Sequence, residues 1–178
     1  MNTDKLNTIK SNFSTFRDKQ FRENQAELIH KVLESKKKGT VVCAGTGSGK
    51  SLVGMIAGAA GNKFCYLVSS KQLQEQLMHE FPEVEIMQGR NNYPCIINPK
   101  LSAAECIHTP TTPCVYKGSC PYEVQKKRVL EANYQVLNYS YFIHESNYIG
   151  RFTDYPIIIA DESDMLEATL TEFISLNI

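Results

Sequence analysis

The chain has 178 residues, 42% hydrophobic and 21% charged, the size and balance of one globular domain with room for a small insertion. That composition excludes wholesale disorder and fibrous repeats, and no run approaches the ~18 apolar residues of a transmembrane helix. The opening MNTDKLNTIKSNF has neither the apolar core of a signal peptide nor the arginines of a transit peptide. A soluble protein of the cytoplasm, or of the nucleus in a eukaryote, is expected, with no membrane partner.

Basic and acidic residues balance at 19 each, but unevenly: residues 1–87 carry +3, residues 88–130 carry +4 and residues 131–178 carry −7. Four of the six cysteines lie in the basic middle. Cations and cysteines in one place suggest a metal-bearing insert that faces a polyanion.

Residues 1–20 read as an irregular or partly helical lead-in. From Arg22 to Ser35, Ala26, Leu28, Ile29, Val32 and Leu33 share one helical face, and Lys36-Lys37-Lys38-Gly39 closes that helix with cations and a turn residue. Thr40-Val41-Val42-Cys43 reads as a short buried strand, and Leu52, Val53, Ile56, Ala57 and Ala60 as the next helical face. Phe64–Ser69 is a continuous apolar strand, Lys71–Glu80 a helix stopped by Pro82, and Val84–Met87 a third strand. Residues 88–121 lose all periodicity and hold five of the seven prolines. Helix resumes at Pro121–Ala132, followed by a strand at Gln135–Asn138 and a buried strand at Tyr155–Ala160. Short apolar strands alternating with helices predict a parallel α/β sheet covered on both faces. The aperiodic stretch is too long for a structureless loop, so something other than a core must order it.

Ala44-Gly45-Thr46-Gly47-Ser48-Gly49-Lys50-Ser51 lies between a predicted strand and a predicted helix. It is a phosphate-binding loop with Ala44 in place of the usual leading glycine. Glycines let backbone N–H groups turn in on phosphate oxygens, and the helix adds the positive end of its dipole. Lys50 would reach the β- and γ-phosphates of ATP, and Ser51 would ligate Mg²⁺. At the end of the Ile157–Ala160 run, Asp161 would hold the Mg²⁺ and Glu162 would orient or deprotonate the attacking water.

Cys95, Cys106, Cys114 and Cys120 suit metal ligation better than disulfides in such a chain. Four thiolates can hold zinc or an iron–sulfur cluster; the close CxxC pairs usual for structural zinc are absent. Cys43 and Cys65 read as buried free thiols in strands. Around the four cysteines Arg90, Lys100, Lys117, Lys126, Lys127 and Arg128 interleave with Tyr93, Tyr116 and Tyr122, the cations and rings that a single-strand path requires.

Together these features resemble the XPD/DinG-type superfamily 2 DNA helicases over about Phe21–Met165. Phe21-Arg22-Glu23-Asn24-Gln25 is similar to the family's nucleotide-base motif, which implies Arg22 and Gln25 as adenine readers. The 44–51 loop resembles motif I. The run Ser69–Leu77 resembles motif Ia, implying that Ser70, Lys71 and Gln72 touch the DNA backbone. Gln88–Cys95 and Cys120-Pro121-Tyr122 resemble the contexts of the first and last cysteines of a [4Fe–4S] cluster. The resemblance implies a RecA-like motor domain interrupted by that cluster, with 1–87 and 131–178 as motor and 88–130 as insertion. It implies ATP-dependent 5′→3′ separation of forked duplex, with Arg90, Tyr93, Lys117, Lys126 and Lys127 along the strand. Motif II departs from the family: Asp161-Glu162-Ser163-Asp164 has Asp164 where histidine is usual. The second motor domain would come from a missing segment or a separate chain. Two other readings stay open: a P-loop ATPase with a structural zinc, and a nucleic-acid- or partner-binding module without turnover.

Overall fold

A computed structural model describes residues 3–45, 47–108 and 113–175. In chain order the helices are α1 (Thr3–Lys10), α2 (Gln25–Glu34), α3 (Lys50–Ala59), α4 (Lys71–Glu80), α5 (Pro121–Glu131), α6 (Tyr139–His144) and α7 (Asp164–Ser175). The strands are β1 (Phe64–Val68), β2 (Glu85–Met87), β3 (Tyr134–Asn138) and β4 (Ile157–Ala160). They form one sheet in the order β2-β3-β1-β4, and every pairing is parallel. This is the α/β architecture of a RecA-like motor domain. Among the described residues no helix is long and apolar enough to cross a membrane.

The alternation of β1 divides the core in two. Phe64, Tyr66 and Val68 join Val136 beneath α1, α2 and α3, with Leu6, Phe13, Ile29, Met55 and Ile56. Cys65 and Leu67 face the other way, onto Met87, Leu137, Val129, Tyr139 and Phe152. Ala103 and Tyr122 belong to this second core, so the cysteine-rich stretch is anchored on the face opposite α3. Two strands hand over directly to the next helix through a capping side chain. Ser70 accepts from the Leu73 N–H at 3.3 Å ahead of α4, and Asn138 accepts from the Tyr141 N–H at 2.8 Å ahead of α6.

The lead-in is more ordered than its polarity predicts, because α1 buries Leu6 and Ile9 and is followed by buried Phe13. The expected strand at Thr40–Cys43 is not formed. Val41 is 90% exposed and Cys43 is exposed rather than buried, and the run pairs with none of the four strands. The last strand is likewise shorter and less covered than predicted: it begins at Ile157, and its residues alternate between half-buried and exposed. It lies at the sheet's edge.

Candidate nucleotide site and cysteine cavity

The parallel ladder aligns the ends of β1 and β4, and the candidate nucleotide residues gather there. The Asp161 N–H donates to the Leu67 carbonyl at 2.9 Å, continuing the ladder one residue beyond β4. The Asp161 carboxylate accepts from the Tyr66 hydroxyl at 2.9 Å on Oδ2 and from the Glu162 N–H at 3.0 Å on Oδ1. Its carbonyl accepts from the Tyr139 hydroxyl at 2.6 Å. Burial, then the Asp161 charge, pushes the Tyr66 hydroxyl well above its ordinary range, and Tyr139 is pushed up to about 12 for the same reasons. Both phenols are therefore donors at neutral pH. Glu162 sits at φ +49°, a conformation uncommon outside glycine, and its Oε2 accepts from Ser69 Oγ at 2.6 Å.

The loop before α3 reaches its turn through Gly47 and Gly49 at φ +77° and +79°, where any Cβ is strained. Lys50 Nζ donates to the carbonyls of Ala44 at 2.9 Å and Gly45 at 3.2 Å, so the ammonium lies folded over its own loop. Arg22 donates to the Gly47 carbonyl at 2.5 Å. Gln25, buried, donates to the Ser48 carbonyl at 3.0 Å and accepts from the Arg22 N–H at 2.8 Å. The two residues expected to read adenine thus brace the loop. Thr46 lies outside the described residues. Asp164, the departure from the usual histidine, opens α7 with Glu167 one turn on, and both carboxylates complement the helix N-terminus.

All four cysteines of the middle stretch line one cavity of about 370 Å³, with Arg90 and Tyr122 in its wall. The bridge Pro94↔Ser102 and the Cys95 N–H donating to the Leu101 carbonyl at 2.8 Å fold the first arm back on itself. A Ser102–Glu105 capping box starts the turn before Cys106. Cys120 directly precedes Pro121, the first residue of α5, so its thiol sits at a helix N-terminus. Among the described residues no three His, Cys, Asp or Glu side chains are close enough to hold a single metal ion.

The proposed strand path is altered in four places. Lys126 is 5% exposed and bonds both Glu145 carboxylate oxygens at 2.7 Å, so it is unavailable to a phosphate. The Arg90 guanidinium lies 5.0 Å from the centre of the Tyr122 ring and donates to the Ala103 carbonyl at 2.9 Å. Tyr93 stands edge-on to Tyr122 and accepts from the Gln88 N–H. Arg90 lines the cysteine cavity and Tyr93 packs against its wall residue Tyr122, so neither is a free cation or stacking platform. Ser70 is occupied as a cap. Gln72, Lys117 and Lys127 remain exposed, and Lys71 reaches Asn92 Oδ1 at 2.5 Å. Tyr66, Tyr139 and Ser69 escape a sequence reading, since nothing in an apolar strand marks which hydroxyl will meet Asp161 or Glu162.

A lysine-bearing glycine loop that opens a helix, beside a carboxylate pair at the end of a parallel strand, defines a P-loop nucleotide-dependent motor domain. The DEAD/DEAH box helicase family matches residues 22–175, and the chain belongs to that family: it carries the ATP-dependent motor domain of a nucleic-acid helicase. No curated protein and no solved structure matches it.

Proposed function

We propose that this chain is the ATP-binding motor half of an iron–sulfur DNA helicase that draws single-stranded DNA 5′→3′ and parts the duplex at a fork. The observation that carries the reading is the convergence of Cys95, Cys106, Cys114 and Cys120 on one cavity. Thiolates around one zinc lie about 3.8 Å apart, given Zn–S bonds of about 2.3 Å. A four-iron cluster spreads its thiolates more widely, which suits an open cavity better than a single-ion site. The donor set is therefore compatible with a cluster held by the four cysteines. When bound, the cluster would brace the stretch ahead of α5, whose described residues form only short turns.

At the nucleotide site the hydroxyl of Ser51 and the carboxylate of Asp161 would hold Mg²⁺, which offsets phosphate charge when bound. Lys50 would leave its loop carbonyls for the β- and γ-phosphates. Glu162 would accept the proton of the attacking water, for which it must give up its bond to Ser69. Ser69 immediately precedes the cap of α4, where Lys71 and Gln72 would meet the DNA backbone, so strand binding and release of Glu162 share one short segment. Lys117 and Lys127 would extend the path. A second motor domain would complete the ATP cleft.

Iron, zinc and acid-labile sulfide measured on protein purified without oxygen test the reading. About four irons and four sulfides per chain, lost in Cys106→Ser, are expected. One zinc without sulfide would overturn the cluster and leave a P-loop helicase motor with a structural staple.

A further inference from the structure

We infer that Tyr66 is the positioning residue of the magnesium site, holding the Asp161 carboxylate in place before metal and nucleotide arrive. The inference rests on the nucleotide-site reading above and assigns a role within it to a residue of a buried strand.

Tyr66 is 1% exposed, in the core beneath α3, and only its hydroxyl reaches the site. That hydroxyl donates to Asp161 Oδ2 at 2.9 Å. One phenol of β1 thus holds the residue after β4, beneath the helix whose first turn would supply the other metal ligand. The remaining hydrogen bonds of Asp161 run through its backbone and Oδ1, so among the described residues Tyr66 is the side chain that fixes Oδ2. The ring fits because α3 has a glycine above it: a Cβ on Gly54 would lie 2.9 Å from Tyr66 Cε2. A phenylalanine at position 66 would fill the same space and leave Asp161 Oδ2 without this donor. Partners one bond removed from a metal fix the orientation of its ligands, and their loss costs about 10–100-fold in metal affinity.

The test compares wild type with Tyr66→Phe in binding of a fluorescent non-hydrolysable ATP analogue, first in chelator and then along a Mg²⁺ titration. Metal-free binding should be unchanged, while the Mg²⁺ concentration that half-saturates the tightening should rise about tenfold or more. A substitution that only loosened the core would weaken both. Identical Mg²⁺ curves for the two proteins would overturn the role of Tyr66 and leave the nucleotide site standing. Absence of Mg²⁺-tightened binding in wild type would overturn the site itself, and the inference with it. Should Tyr66→Phe not fold, 3-fluorotyrosine placed at position 66 keeps ring and hydroxyl. Its fluorine resonance should shift when Mg²⁺ joins the bound analogue, and a static resonance would overturn the proposal.

Discussion

Lys126 and Lys127 are adjacent in sequence and opposite in circumstance. Lys127 is exposed and pairs loosely with Glu131 at 3.9 Å, an arrangement worth at most about 0.5 kcal/mol. Lys126 is sealed against Glu145, with Tyr122 beside it at 3.4 Å. Removing one partner of a buried pair leaves an uncompensated charge and costs about 3–5 kcal/mol. Lys126→Ala should therefore lower unfolding stability in urea by about that much, and Lys127→Ala should leave it nearly unchanged. Single-strand affinity at low salt should respond to Lys127→Ala, with the log–log salt slope shallower by about 0.7; an unchanged slope would remove Lys127 from the strand path. The sequence could not separate the two lysines, because the partner that decides the matter arrives 19 residues later. The same limit hid Tyr66. Lys50, Asp161 and the four cysteines were legible because their chemistry is rare and their flanking residues form recognisable patterns.

Helix α3 shows what an element adds to its pattern. Its apolar face was readable from Leu52, Val53 and Ile56, whereas Gly54 and Gly58 are by intrinsic preference poor helix formers. They share a face, and α3 lies on the sheet at that face: a Cβ on Gly58 would stand 2.6 Å from Phe64 Cγ and 2.8 Å from Ile159 Cδ1. Gly58→Ala should cost about 1–3 kcal/mol through overpacking, against the small gain alanine gives an open helix. Equal or higher stability in urea would mean that the helix is free to lift from β1. Strand prediction failed at Thr40–Cys43 for the complementary reason. A β-branched run states a preference for extended backbone, but only a neighbouring edge makes it a strand. The Lys126 misreading and this one share that origin, since each depends on a partner distant in sequence.

At the scale of the whole molecule, function is collected where the parallel strands end and the loops begin. The phosphate loop there is held by side chains from Arg22, Gln25 and Lys50, all bonded to its carbonyls. Hydrogen exchange at residues 47–51 should slow when ATP and Mg²⁺ are added, and unaltered exchange would place the nucleotide elsewhere. The Lys71–Asn92 bond links the start of α4 to the cysteine stretch, so the two proposed DNA surfaces are mechanically joined. One feature of the sheet bears on how the protein must be handled. Edge strands are normally guarded by charge, proline or a bulge, yet β4 presents Ile157-Ile158-Ile159 at the rim, with Ile158 49% exposed. Concentrated solutions should therefore be prone to chain-to-chain strand pairing through this edge, which a rise in light scattering with concentration would register.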